Sequence, residues 1–322
     1  MTLAVRDWRL FDDGVDGLVA TEARAWLEQL HWDVSEPWSV IEPARRAGRL
    51  PGLVSLDRTG APTGWSAFLP HAGHLQVMSI VAPDVCTASG LVDGILASDE
   101  SRSAQSTIVC VRDGTPGLFD VLSARGFAVE RYRYLSVEFG ESGERVDGVR
   151  LDALPTGRLD RPGASADCHH GLLEPWVDHG EQMADLCARA YRDTTSIRAF
   201  AAGGTTEEWR HYVASLTNGT GCGWFAPELS AVLRHDGAAA IHGAIMMTDL
   251  GPSTVHVAQM AVDPAIQGRG VGRALLSAAL LKSAPLFARA TLLVAASNHA
   301  AVALYESFGF RDSASFIVAE RR

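Results

Sequence analysis

Hydrophobic and polar positions fall into one order of runs twice along this chain. In the second half, Met183, Leu186, Cys187 and Ala190 recur at helical spacing and predict a helix over 181–191. Thr205, with Glu208 three residues on, predicts a capping box and a helix over 206–216. Apolar runs at 231–234 and 241–248 predict a hairpin around His235-Asp236-Gly237. A strand over 254–262 follows. A helix to about Lys282 comes next, with Val271, Ala274, Leu275, Ala278 and Ala279 at its small and apolar positions. A strand over 290–295, a helix opening at Asn298 and a strand over 315–319 complete the set.

The first half repeats this order more faintly. A helical stretch holds 26–32, and strands at 53–56 and 64–69 flank the turn Asp57-Arg58-Thr59-Gly60. A strand over 75–81 runs into Ala82-Pro83, as Val262 runs into Asp263-Pro264. Then come a helix over 88–97, a strand over 107–111, and a helix over 116–125 with proline in its first turn. A strand over 131–139 closes the half. The last helix of each half ends in a Gly-Phe pair, Gly126-Phe127 and Gly309-Phe310. The pattern predicts an α/β fold, an α+β mixed sheet built as two tandem copies of one unit over 1–140 and 171–322. The stretch between them, 141–170, is rich in Gly, Pro, Asp and Arg and reads as a linker.

The candidate chemistry lies between the strand over 254–262 and the helix after it. The connection reads Gln267-Gly268-Arg269-Gly270-Val271-Gly272-Arg273. A glycine-rich turn that opens a helix leaves backbone N–H groups unpaired at the positive end of the helix dipole. That arrangement suits a phosphate or pyrophosphate, and glycine lets the anion approach the backbone. A tight strand-to-helix connection would use the same residues. The run lacks the Gly-Lys-Ser/Thr ending of an ATP-binding loop, and too little chain follows it for a dinucleotide-binding unit.

Farther on stands Asn298-His299-Ala300-Ala301-Val302-Ala303-Leu304-Tyr305-Glu306-Ser307-Phe308-Gly309-Phe310. Together the two stretches resemble the GNAT N-acetyltransferase superfamily. Gln267, Gly270 and Gly272 match its acyl-CoA pattern, and Asn298, Ala301, Leu304, Tyr305, Gly309 and Phe310 match its following helix. The resemblance covers roughly the last quarter of the chain. It implies an acetyl-CoA-dependent N-acetyltransferase that passes an acetyl group to a primary amine by direct attack in a ternary complex. Acetyl-CoA is the implied cosubstrate, with no metal. The implied cofactor-binding residues are Met260, Ala261, Val262, Gln267, Gly268, Arg269, Gly270, Val271, Gly272, Arg273, Asn298, Ala301 and Tyr305.

In such a site a backbone N–H at the end of the strand polarises the thioester carbonyl. Tyr305 is the candidate acid for the departing thiolate, against a simple packing role. Asn298 either bonds the pantetheine arm, caps its helix, or does both. His256, on the strand before the turn, is the candidate general base, against a packed, hydrogen-bonded histidine. Strand alternation puts Gln259 on the opposite face from His256. Asp249, Glu208 and His242 are remote alternatives as the base. The amine pocket is expected from 192–204, Trp209, Tyr212, Trp224 and Phe225. The alternative class is a CoA-binding sensor or scaffold without turnover.

The first half departs from this pattern. After Pro83 it has Cys86-Thr87-Ala88-Ser89-Gly90 in place of the glycine-rich run, and Thr115 and Leu122 stand opposite Asn298 and Tyr305. It reads as a degenerate copy with a structural or substrate-shaping role, or a divergent CoA site.

Composition narrows the partners. The formal charge of −10 and the absence of a basic block argue against nucleic acid and anionic membranes. Cys86, Cys110, Cys168, Cys187 and Cys222 are odd in number and lack CxxC spacing, as for reduced thiols. Cys168 beside His169-His170 has no second cluster to complete a metal site. No signal peptide or membrane-length apolar run is evident. A cytoplasmic monomer or homodimer acting on a small-molecule or peptide amine is expected.

Overall fold

The two predicted runs of elements fold as two units, Met1–Arg133 with Ser313–Arg322, and Tyr134–Asp312. The computed structural model describes the chain apart from residues 1–3, 12–13, 72, 141–144, 147–148, 151–170, 195, 197–198, 220 and 236–239. Most of the expected linker, with Cys168, His169 and His170, lies outside the described residues, as do Asp236 and Gly237 of the expected turn.

The first unit contains β1 (Ala4–Asp7), α1 (Val15–Leu30), α2 (Ser35–Trp38), α3 (Ile41–Arg46), β2 (Gly52–Leu56), β3 (Pro62–His71) and β4 (His74–Val81). It continues through α4 (Val85–Ala97), α5 (Asp99–Ser103), β5 (Ser106–Arg112), α6 (Leu118–Ala124) and the start of β6 (Ala128–Glu138). The remainder of β6 belongs to the second unit. There follow a short ribbon of β7 (Arg145–Val146) and β8 (Val149–Arg150), then β9 (Gly171–Pro175), α7 (Gly180–Ala190), α8 (Thr206–Thr217), β10 (Trp224–Phe225), β11 (Ala231–His235) and β12 (Ile241–Asp249). The unit ends with β13 (Thr254–Val262), α9 (Val271–Ser283), β14 (Arg289–Ala295) and α10 (His299–Glu306). The last strand, β15 (Arg311–Arg321), falls almost wholly in the first unit.

Strand order in the first unit is β1-β2-β3-β4-β5-β15, with β4 and β5 parallel and the other pairs antiparallel. In the second unit it is β6-β14-β13-β12-β11-β9, with β10 also beside β12. There β13 and β14 run parallel, and β13, β12, β11 and β9 antiparallel. The expectation that 131–139 closes the first half and 315–319 the second is corrected here. Phe316 to Arg321 of β15 pair with β5, and Tyr134 onward lies with the second unit. Periodicity identifies a strand but not its neighbour, because the pairing groups belong to the backbone.

In the second unit helices cover both faces of the sheet. On one face α9 and α10 pack over Val255, Val257, Leu292 and Phe310. On the other, α7 and α8 pack over Ala244, Met246 and Ala261. Leu275, Leu276, Ala279 and Leu280 of α9 are fully buried. Burying a leucine side chain stabilises by about 2 kcal/mol. That packing holds α9 without help from its first turn, where no side chain caps the helix.

Candidate active site

The parallel ladder between β13 and β14 has four residue pairs, from Thr254 with Arg289 to Val257 with Leu292. Both strands run on beyond it, to Val262 and Ala295. The ladder between β12 and β13 skips Ala258, opposite the step from Met246 to Met247. Such a bulge bends its strand and leaves one residue out of the ladder. Past the bulge, the carbonyls of Ala258, Met260 and Val262 point along one edge of β13. Side chains occupy all three. Tyr212 Oη donates to Ala258 O at 3.1 Å, Tyr191 Oη to Met260 O at 2.8 Å, and Gln267 Nε2 to Val262 O at 3.0 Å. This end of β13, with Met260, Ala261 and Val262, lies past the ladder with β14 and is the backbone at which an acyl group is expected.

The glycine-rich turn closes beside it. Gly268 and Gly270 adopt φ of +73° and +89°, a left-handed conformation in which a Cβ is strained. A Cβ at either would meet nothing within 4 Å, so the space over the turn is open. Gly270 is the N-cap of α9, and the first turn carries neither a capping side chain nor an acidic residue. The exposed N–H groups of an uncapped helix start fit a diphosphate. Gly272 differs. A Cβ there would stand 3.4 Å from Leu304 Cδ2 of α10, in ordinary contact with it.

Val271 is buried under the turn. Arg269 is exposed, with no partner among the described residues, whereas Arg273 Nη2 donates to Ser307 Oγ at 2.8 Å and its guanidinium lies over the Phe308 ring. Arg269 is therefore the freer cation beside the turn.

Asn298 caps α10, its Oδ1 accepting from the Ala301 N–H at 3.2 Å. Tyr305, on the same helix, is buried with its ring edge-on to Phe310 at 5.9 Å. Its hydroxyl makes no hydrogen bond among the described residues, and burial pushes its pKa up. The phenol therefore stays protonated at neutral pH and is a weaker acid than in water.

His256 is buried, with Nδ1 2.9 Å from Thr291 Oγ1 and its ring stacked on Tyr134 at 5.9 Å. Burial pushes its pKa down to about 3. An imidazole of that pKa is neutral at pH 7 and cannot retain a proton taken from an ammonium. The remote alternatives are engaged elsewhere. Glu208 completes the predicted capping box with Thr205, Asp249 Oδ1 accepts from Gly251 N–H at 2.9 Å, and His242 lies 3.6 Å from Asp263. Among the described residues no three His, Cys, Asp or Glu side chains gather as a metal site.

The bulge overturns the placement of Gln259. Met247 pairs with Val257 and Thr248 with His256, but Met246 pairs with Gln259 and Ile245 with Met260. Skipping Ala258 shifts the alternation by one, so Gln259 shares a face with His256 instead of opposing it. Its Nε2 donates to Tyr191 Oη at 2.8 Å. Sequence reasoning missed Tyr191 as a residue of the site. Its only signal was its place next to the expected 192–204 pocket loop, of which residues 195, 197 and 198 lie outside the described residues. Of the expected pocket aromatics, Tyr212 and Trp209 are buried, Phe225 is half-buried and Trp224 is exposed.

A family model described as an acetyltransferase (GNAT) domain matches residues 226–312. The chain is 35% identical over 261 residues to a mycothiol acetyltransferase of Beutenbergia cavernae, covering 80% of this chain and 79% of that protein. It is 32% identical over 177 residues to a mycothiol acetyltransferase of Clavibacter michiganensis, covering 52% of this chain and 56% of that one. Its fold is similar to that of a GCN5-related N-acetyltransferase from Sphaerobacter thermophilus, with a TM-score of 0.56, 15% identity and coverage of 84% of this chain and 80% of the other. It is also similar to a tandem GNAT protein from the clavulanic acid biosynthesis pathway, with a TM-score of 0.53, 15% identity and coverage of 84% and 82%.

Proposed function

The chain belongs to the GNAT superfamily of acetyltransferases, and from that premise we propose that it moves the acetyl group of acetyl-CoA onto a primary amine by direct attack in a ternary complex. The observation that carries this reading is the open, uncapped glycine turn of α9 beside the end of β13, which runs on past its ladder with β14. Acetyl-CoA supplies the activated thioester. The backbone N–H groups of Gly268 to Arg273 hold its diphosphate, with Arg269 adding charge at the rim. The backbone at Met260, Ala261 and Val262 orients the pantetheine arm and polarises the carbonyl. Asn298 keeps its amide nitrogen for the arm while its oxygen caps α10.

In the transfer the amine nitrogen bonds to the carbonyl carbon and the C–S bond breaks. Tyr305 gives its phenolic proton to the departing sulfur and, since burial disfavours its phenolate, takes one back from solvent before the next turnover. The amine loses one proton. His256 accepts a hydrogen bond on that route, and the proton passes on to solvent because burial prevents the imidazolium from accumulating. We assign this chemistry to the expected domain over 171–322, whose last strand folds with the first unit, with 1–140 a degenerate copy and 141–170 a linker. Among the described residues no helix is long and apolar enough to cross a membrane, and we propose a cytoplasmic enzyme.

The acceptor we favour is the free amine left when mycothiol lacks its acetyl group, because the similar proteins are named for mycothiol. The test is to incubate the protein with acetyl-CoA and deacetylated mycothiol and to follow the acetylated product by mass spectrometry. Product at a rate far above the enzyme-free control is expected. Its absence, with turnover of another amine, overturns the acceptor. Binding of acetyl-CoA with no turnover across a broad amine panel overturns the transfer reading.

A further inference from the structure

We propose that Gln259 orients the acceptor amine, its amide oxygen receiving one N–H of the neutral nucleophile, and that Tyr191 is the positioning residue that aims it. The inference rests on the transfer reading above and adds a residue to its acceptor side.

The local hydrogen bonds fix which way the amide points. A backbone carbonyl can only accept, so the Tyr191 hydroxyl spends its single proton on Met260 O at 2.8 Å. The same hydroxyl lies 2.8 Å from the Gln259 amide and must accept there, which puts Nε2 on the tyrosine. Oε1 is then turned away from Tyr191, and it receives no hydrogen bond among the described residues. The tyrosine is itself held, its ring stacked on Trp209 at 5.1 Å. The half-buried amide is thus oriented before any substrate arrives.

Its position matches the reaction. Gln259 lies two residues beyond the last pair of the β13–β14 ladder and immediately before Met260, at the open end of the strand. The bulge at Ala258 places it on the face of His256. A primary amine that gives one N–H to Oε1 has its lone pair fixed relative to the acyl carbon on that strand. The chemical type also fits. A carboxylate at this position would stabilise the ammonium and raise its pKa, holding back the nucleophile. An amide oxygen accepts from the free base without adding charge. As the C–N bond forms and the C–S bond breaks, Gln259 keeps its own protons. The proton lost by nitrogen leaves by the route already described.

The test compares Gln259→Leu, Gln259→Glu and Tyr191→Phe with the wild type, using acetyl-CoA and deacetylated mycothiol. Gln259→Leu is expected to lower kcat/KM for the amine by about tenfold to a hundredfold, as for loss of one oriented hydrogen bond to substrate. Calorimetric titration of the amine into protein saturated with CoA should show a parallel loss of amine affinity. The affinity for CoA itself should stay within about twofold. Gln259→Glu retains an acceptor oxygen and should recover part of the loss, with the pH profile moved to higher pH because the carboxylate raises the pKa of the amine. Tyr191→Phe should fall between the two. Equal kcat/KM and equal amine affinity in wild type and Gln259→Leu would overturn the proposal while leaving the transfer reading intact. An equal loss in Gln259→Leu and Gln259→Glu, with weakened CoA binding, would also overturn it and make Gln259 a strut for β13. A wild type that binds acetyl-CoA and acetylates no amine removes the transfer reading, and this proposal with it.

Discussion

At the end of β4 the next helix begins on Asp84, whose carboxylate accepts from the Thr87 N–H at 2.8 Å. At the end of β13 the next helix begins on Gly270, with no side chain over its first turn. The two places belong to one design. In each unit the parallel ladder has four pairs, ending at Val77 with Val109 in the first and at Val257 with Leu292 in the second. In each, the antiparallel neighbour shows a register shift at the same point, between Ala67 and Phe68 and between Met246 and Met247. Beyond the ladders the side chains part company. Thr115 Oγ1 donates to Ile80 O at 2.8 Å and accepts from the Ala82 N–H at 3.2 Å, so it occupies the open backbone of β4. A buried ion pair of Arg112 with Glu22, at 2.6 Å, lies at the same mouth. Asn298, opposite Thr115 in the alignment of the halves, bonds its own helix instead. The carbonyl at the matching position is met in both units, Ile80 O by Thr115 and Met260 O by Tyr191, so the units differ at the start of the next helix, which a side chain caps in the first and none caps in the second. Backbone architecture and ligand capacity are therefore separable in this fold.

The largest effect should come from closing the open turn. Gly270→Val forces a branched residue into φ of +89° and places its side chain where the diphosphate is expected. Acetyl-CoA affinity should fall by at least about a hundredfold, roughly the contribution of several charge-assisted hydrogen bonds. Calorimetry on variant and wild type reads this directly, with circular dichroism as a check on folding. The wild type should bind one acetyl-CoA per chain. Two equivalent sites would erase the distinction between the units, and unchanged affinity in a folded Gly270→Val protein would move the diphosphate elsewhere.

Tyr305→Phe tests chemistry without disturbing the turn. The ring and its contact with Phe310 remain, and only the hydroxyl is lost. Single-turnover acetyl transfer should slow by about a hundredfold, within the range for a general acid. Acetyl-CoA affinity should change little, because the proton is needed only as the C–S bond breaks. An unchanged chemical step would make Tyr305 as passive as Leu122, its counterpart in the first half.

The sequence carried the elements well where side-chain pattern decides them. The β13 strand over 254–262 and the Thr205–Glu208 capping box lie where periodicity and capping chemistry put them. The glycines at 268 and 270 proved to need their left-handed backbone. Backbone pairing was not legible. Nothing in the residues of β15 shows that β5 is its partner, and β1 and β9 passed unnoticed as short strands. The bulge at Ala258 was equally silent, and it reversed the reading of Gln259. Tyr191 lies 69 positions from the carbonyl it serves, a separation at which no local pattern reports contact. Burial of His256 depends on what packs over it, so its low pKa could not be read from its place on a strand.

Thr115→Val probes the closed mouth. It removes both hydrogen bonds of a buried hydroxyl and leaves Ile80 O and the Ala82 N–H without that partner. The cost should be about 2 kcal/mol, read from urea unfolding. Acetyl-CoA affinity at the second unit should stay constant. A second equivalent of acetyl-CoA bound by this variant would show that Thr115 alone closes the first unit. An unchanged unfolding midpoint would show that its bonds are replaced by others.

The smallest difference concerns acid. Matching the two parallel ladders pair by pair sets Gln76 opposite His256, so the position titrates in the second unit and not in the first. Burial lowers the pKa of His256 from an ordinary 6.5 to about 3. Between these values the unfolded chain binds a proton that the folded chain refuses. Stability contributed by the neutral imidazole is thus fully present above about pH 6.5 and is lost as pH falls toward 3, by at most about 1.4 kcal/mol per pH unit. His256→Gln copies the first unit and removes the titrating group. Its unfolding midpoint should therefore decline less steeply than that of the wild type between pH 6.5 and 4.5, whatever the offset at neutral pH from the lost contact with Thr291. Parallel declines across that window would mean that His256 is protonated in the folded protein as readily as in the unfolded one. An imidazole that takes up a proton so easily could store the one released by the amine, and the base assignment would return to it.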